Sequence, residues 1–151
     1  MIEVEVHYFH KVKKYNRGND YFIYPYFLVR GHANNGNRDD NIRVCGGVSA
    51  CIIGIIRLID LSQYSIKSKS GLFEIKANCG KIDENTYIDE DTNYALNTLL
   101  CQLYDLYLMY PNQFSRFNMY EVKENEEPNG RKESPKPFRK LKQERLGFRS
   151  N

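Results

Sequence analysis

Residues 45–61 read CGGVSACIIGIIRLIDL, and whether this run is a helix or a strand decides the fold class. Val48, Cys51, Ile52, Ile55, Ile56 and Ile59 recur at i, i+3 and i+4, the spacing that gathers side chains on one side of a helix. The isoleucines of CIIGII are β-branched and favour a strand. A run of about 16 residues is long for a strand and ordinary for a helix, so the spacing predicts a helix from Cys45 to about Leu61. It is apolar nearly all round and should lie at the centre of the molecule.

Upstream, residues 2–9 set Ile2, Val4, Val6 and Tyr8 against Glu3, Glu5 and His7, the period-two pattern of a half-buried strand. The aromatic segment YFIYPYFLVR at 21–30 predicts a second strand paired with the first. Pro25 removes a ladder donor there, which predicts an edge position or a bulge. The polar link KVKKYNRGND at 11–20 carries a Gly-Asn turn signal. Residues 33–43 hold four Asn, two Asp, two Arg and one Gly, a composition that cannot bury enough apolar surface to order itself cheaply. A loop, mobile without a ligand, is expected.

Downstream, SIKSKSG at 65–71 reads as a polar link and LFEIKA at 72–77 as a strand, with a short partner around Thr86 to Ile88 across the turn CGKIDEN. The acidic DEDT at 89–92 predicts a helix start with Asp91 or Thr92 as N-cap. Leu96, Leu99, Leu100, Leu103, Leu106, Tyr107 and Tyr110 then form a long stripe that Pro111 ends. FNMYEV at 117–122 predicts a last strand. The order strand, strand, helix, strand, strand, helix, strand implies an α+β fold: a mainly antiparallel sheet of four to five strands with two helices packed on one face.

With 151 residues, 41% of them hydrophobic, the chain suits one domain with its own core. The charge of +3 is unevenly spread. Residues 123–151 hold nine Lys or Arg against five Glu, whereas 1–122 hold 13 against 14 acids. The basic excess therefore belongs to the last segment, which is rich in Pro, Lys and Glu and has little to bury. A domain over 1–122 followed by a disordered basic tail is expected. Contact of FRKLKQER at 138–145 with RNA is the alternative to a merely solvated tail. The start MIEVEVHYFH alternates where a signal peptide would need a continuous apolar run, and no run of about 18 apolar residues occurs, so a cytoplasmic location is expected.

Cys45, at the predicted helix start, would meet free backbone N–H groups and the positive end of the helix dipole, both of which favour thiolate. His32 lies 13 residues earlier across the polar loop. Gly31 before it allows a tight turn at the strand end, and an imidazole folded back onto the sulfur would serve as base toward the thiol and acid toward a leaving amine. Gly46 and Gly47 would leave backbone N–H groups approachable for an oxyanion. The competing reading makes Cys45 a small buried hydrophobe, the commoner fate of a cysteine beside apolar residues. Cys51 falls on nearly the opposite helix face and reads as core, as does Cys101. Cys79 reads as exposed, and His7 and His10 as surface residues. No CxxC pair, HExxH or P-loop spacing occurs, which argues against zinc and nucleotide, and no cofactor or metal is expected.

Gly31-His32-Ala33, a short polar loop containing Asp, and then Val44-Cys45-x-x-Val48-Ser49-Ala50 leading into an apolar helix resemble the signature of the ribosomal-processing cysteine proteases, the Prp family. In weaker form the likeness extends over about residues 1–122. It implies a small α+β homodimeric, cytosolic endopeptidase that removes the N-terminal extension of a large-subunit ribosomal protein, cutting after an aromatic-containing motif. On this resemblance Cys45 is the nucleophile and His32 its base, with Gly31, Asp40, Gly46, Gly47 and Ser49 as substrate-binding or loop residues. Two departures stand out. The family's Asp-Ile-Val-Cys run is here Asp40-Asn41-Ile42-Arg43-Val44-Cys45, with the acid displaced, and the small residues after the cysteine are glycines. A weak or inactive relative acting as a ribosome- or assembly-associated binding module is the alternative.

Overall fold

The computed structural model describes residues 1–11, 21–130 and 134–136. Its elements run β1 (Ile2–Lys11), β2 (Tyr21–Gly31), α1 (Arg38–Ile56), β3 (Tyr64–Lys69), β4 (Leu72–Ala77), α2 (Glu90–Met109), a 3-10 turn (Pro111–Gln113) and β5 (Phe114–Glu121). The five strands form one sheet in the order β3-β4-β2-β1-β5. Every pairing is antiparallel except β1 with β5, which is parallel and closed through α2. The α+β class and the mainly antiparallel sheet agree with the sequence reading.

The apolar side of β1 lies where the alternation puts it, with Ile2, Val4 and Val6 buried in the main core with Phe27 and Val29 of β2, Phe73 and Ile75 of β4, and the apolar sides of both helices. The strand is not half-buried, however, because Glu5 and His7 on its other side are buried too. In α2 the stripe Ala95, Leu96, Leu99, Leu100 and Leu103 is buried. Asp89 caps that helix by accepting from the Thr92 N–H, two or three residues before the anticipated cap. Tyr24 and Asn93 tie the helix to the sheet: the Tyr24 hydroxyl donates to Asn97, and the Asn93 amide donates to the Phe22 carbonyl at 2.8 Å. Tyr104 packs edge-on against Phe117 of β5, and Tyr107 packs edge-on against Phe114 and tilted against Phe117.

The expectation for Pro25 is met in one of its two forms, and two other local expectations are corrected. β2 is interior to the sheet, so Pro25 is not on an edge. It sits in a bulge, where the pairing steps from His7↔Tyr26 to Phe9↔Ile23 and the missing N–H costs no ladder bond. The partner of β4 is not the segment at 86–88 but β3, in SIKSKSG, where Tyr64 and Ile66 turn inward opposite Ala77 and Ile75. Lysine and serine are normal outward residues on such an edge strand, which hid it among link-like residues. His7, expected at the surface, is fully buried on the opposite sheet face, its Nε2 2.9 Å from Glu5 and its ring between Tyr26 and Tyr120.

Part of the segment expected to be a tail is folded: the Asn125 N–H donates to the Ile82 carbonyl at 2.7 Å, the Ile82 N–H donates to the Glu126 carbonyl at 2.8 Å, and Lys136 bridges to Met119. The polar link at 12–20 and the basic stretches at 131–133 and 137–151 lie outside the described residues. Among the described residues no helix is long and apolar enough to cross a membrane.

Leu99 is fully buried and Leu108 is 58% exposed on the same helix. Leu99→Ala should therefore lower unfolding free energy by about 2–5 kcal/mol in urea melts, and Leu108→Ala by no more than about 0.5 kcal/mol. Equal effects would contradict this orientation of α2.

Candidate active site

β2 ends at Gly31, whose φ of +101° turns the chain out of the sheet. A Cβ at this position would lie 2.2 Å from the Met1 carbonyl oxygen, so only glycine fits. The Gly31 N–H donates to the Gly71 carbonyl at 2.9 Å, which binds the strand end to the tip of the β3–β4 hairpin. Gly71, also at positive φ (+74°), closes the two-residue turn Ser70-Gly71. His32 follows directly and lies over that tip. A Cβ on Gly71 would come within 2.5 Å of His32 Nε2 and 3.0 Å of Cε1, so the bare backbone of Gly71 is the seat of the imidazole.

The helix carrying Cys45 begins earlier than its apolar spacing implies. Asn37 caps α1 by accepting from the Asp40 N–H at 2.8 Å, and Asp39 and Asp40 fill the first turn at the positive end of the dipole. Residues 38–43, expected in a mobile loop, are thus helical, and Cys45 lies about two turns inside α1. The anticipated free helix-start N–H groups are not next to its sulfur. A loop amide takes their place: the Ala33 N–H donates to Cys45 Sγ at 3.2 Å, and Sγ in turn faces the Ala33 carbonyl at 3.8 Å.

His32 and Cys45 open onto one cleft of about 350 Å³ between α1 and the β3–β4 hairpin. Its floor is apolar, from Val29, Val48, Ile52 and Phe73, and its hairpin wall is polar, from Ser68, Lys69 and Ser70. Gly31 and Ser49 also line it. Gly46, Gly47 and Asp40 are not among its lining residues. Gly46 has open space where a Cβ would be, whereas Gly47 abuts Leu106 of α2, with 3.3 Å to a built Cβ. Its smallness therefore serves helix–helix approach. The Asp40 carboxylate is engaged by Asn37 at 3.2 Å and Arg43 at 3.5 Å in the first turn of α1. Sequence reading missed the hairpin wall entirely; the alternation of Tyr64, Ile66 and Ser68 ahead of Ser-Gly was the signal that would have found it.

All four cysteines are free and half-buried. Burial pushes the Cys51 thiol up. It pushes Cys79 up as well, and the nearby Asp83 carboxylate adds to the effect. Among the described residues no cluster of His, Cys, Asp and Glu could hold a metal ion.

Comparison with known proteins bears on this arrangement. No curated protein matches the chain. Solved structures do, at the level of fold. An essential ribosomal processing protease Prp from S. aureus, in complex with a substrate peptide, is 20% identical, aligns over 79% of this chain and 99% of its own, and has a TM-score of 0.52. The S. aureus protein with a covalently linked product peptide gives 22%, 77%, 97% and 0.50. SMU.848 from Streptococcus mutans gives 15%, 80%, 95% and 0.51. The family model of the cysteine protease Prp matches residues 1–115, a span that contains β1 through the 3-10 turn and both walls of the cleft, and the chain belongs to that family.

Proposed function

We propose that this protein is a cysteine endopeptidase in which Cys45 is the nucleophile and His32 its general base, acting on a peptide laid in the cleft between α1 and the β3–β4 hairpin. The reading takes it as a cytoplasmic homodimer whose substrate is the N-terminal extension of a large-subunit ribosomal protein, cut after an aromatic-containing motif. The observation that carries it is that His32 and Cys45, 13 residues apart, line one cleft, with the Ala33 N–H on the sulfur. The apolar floor suits aromatic and aliphatic side chains of a bound peptide. The solved structures of S. aureus Prp hold a substrate peptide and a covalently linked product peptide, which fits a covalent route on this fold.

In the proposed reaction the Cys45 thiol proton passes to His32, and the sulfur attacks the scissile carbonyl carbon to give a tetrahedral oxyanion. Collapse expels the amine, which takes the proton back from the imidazolium, and leaves a thioester on Cys45. Water then attacks the thioester carbonyl as His32 removes a proton, releasing the carboxylic product and restoring the thiol. The helix-start N–H groups of the sequence reading lie two turns away from the sulfur, so the oxyanion would need donors from the loop beside Ala33.

One observation favours a second reading. Among the described residues no carboxylate lines the cleft, and Asp40 is taken up by Asn37 and Arg43, so none of the described acids faces the imidazole there. A relative that binds peptide with little turnover, as a ribosome- or assembly-associated module, would have such a cleft.

Incubation with a peptide spanning an aromatic-rich ribosomal-protein extension, read by mass spectrometry, separates the two. Cleavage should vanish in Cys45→Ala and fall by roughly 10²–10⁴-fold in His32→Ala; turnover that survives loss of Cys45, or native protein that binds but never cuts, sinks the protease reading. Iodoacetamide near neutral pH should modify Cys45 before Cys51 and Cys79, whose thiols burial holds protonated. Equal or slower labelling of Cys45 would count against an activated sulfur. Gly71→Ala forces an alanine into left-handed backbone, at about 1–2 kcal/mol of stability, and pushes His32 off its seat. Turnover of the folded variant should fall by about 10- to 100-fold, and native turnover would mean that the seat on Gly71 is not the working position of His32.

A further inference from the structure

Gln113, in the 3-10 turn between α2 and β5, is buried to 2% exposure although it is a polar residue far in sequence from the cleft. Its side chain reaches across to the segment that joins His32 to α1. Oε1 accepts from the Asn35 N–H at 3.0 Å, and Nε2 donates to Asn41 Oδ1 at 2.7 Å. That same Asn41 oxygen accepts from the Gly36 N–H at 3.0 Å, and the Asn35 side-chain amide donates to the Asn112 carbonyl at 3.0 Å.

The orientation of the Gln113 amide is dictated by its partners. Two backbone N–H donors, which cannot be reversed, set the network: the Asn35 N–H requires an oxygen from Gln113, and the Gly36 N–H requires an oxygen from Asn41, which then leaves only a donor's place for Gln113 Nε2. Glutamine supplies one acceptor and one donor at this reach; glutamate would lack the donor, and leucine both. The fit is also close in space, since a Cβ on Gly36 would lie 2.4 Å from Gln113 Nε2. The stretch thus pinned begins two residues after Ala33, whose N–H touches Cys45 Sγ, and ends at Asn37, the cap of α1.

We infer that Gln113 is a positioning residue: it clamps residues 35–36 to the first turn of α1 and thereby sets how His32 is presented to Cys45. The inference rests on the Cys45–His32 assignment proposed above. The segment expected from composition to be mobile is instead held from outside, in part by one buried amide about 70 positions away in sequence, and on this inference the presentation of the pair depends on it.

The test compares the second-order rate of iodoacetamide modification of Cys45, followed by peptide mapping, in the full chain and in His32→Ala, Gln113→Leu, Gln113→Glu and the His32→Ala/Gln113→Leu double variant. Modification should slow about 10-fold or more in Gln113→Leu and less in Gln113→Glu, which keeps the acceptor. In the His32→Ala background, Gln113→Leu should add less than about 3-fold, because two changes acting through one pair are not additive. A general loosening of structure would add in full. If His32→Ala slows labelling and Gln113→Leu does not, or if the two effects multiply, the positioning role is overturned while the Cys45–His32 reading stands. Labelling as fast in His32→Ala as in the native chain overturns both. Should Gln113→Leu fail to fold, Asn41→Ala removes the same bridge from the solvent side, and native labelling in that variant overturns the proposal.

Discussion

The crowding at Gly31 is the constraint on which the cleft depends. β2 has to leave the sheet where the Met1 carbonyl occupies the space of a side chain and where the hairpin tip offers the Gly71 carbonyl as acceptor. A glycine at left-handed φ meets both conditions and no other residue does without strain. Because the turn is made there, the next residue, His32, is laid on the hairpin, and the one after it, Ala33, presents its N–H to Cys45. Two glycines from different hairpins thus create one seat. Neither would have meaning without the pairing of β2 with β4, which sets Arg30 opposite Leu72 and so brings the strand end to the hairpin tip.

The start of α1 changes the chemistry available to the sulfur. With Asn37 as cap, the dipole and its free N–H groups act on Asp39 and Asp40, and their influence fades within the first turn. A cysteine two turns further on is served by whatever the facing loop offers. Here that is one backbone amide, held in place through Asn35, Gly36, Gln113 and Asn41. Gly47 follows the same logic of position: in the helix interior its lack of a side chain admits Leu106 of α2, so the pair of glycines after Cys45 belongs to helix packing and solvent, with neither of them lining the cleft.

Much of the architecture was legible along the chain. Period-two alternation marked β1, leucine spacing marked α2, and Gly-His followed by Val-Cys-x-x-Val-Ser-Ala marked two residues that line the same cleft. The errors share a physical origin. Asn37-Arg38-Asp39-Asp40 reads as loop because Asn and Asp favour turns, yet the same residues are the preferred cap and first turn of a helix. Serine and lysine in β3 read as a link because an edge strand exposes one side to water. His7 looked like a surface residue because alternation places it opposite the core, whereas β2 and β5 flank it with the rings of Tyr26 and Tyr120.

By itself, the sequence determined which residues carry a thiol or an imidazole and that β1, β2, β4, β5 and two helices exist, because thiol, imidazole and hydrophobic period are local properties. Only the tertiary structure decided that Cys45 sits inside a helix, that SIKSKSG forms a wall of the cleft, and that Gln113 reaches the loop beside the sulfur. Each of these is a contact between residues distant in sequence. Such contacts depend on strand order, register and the closing of α2 onto the sheet, and no short-range pattern encodes them.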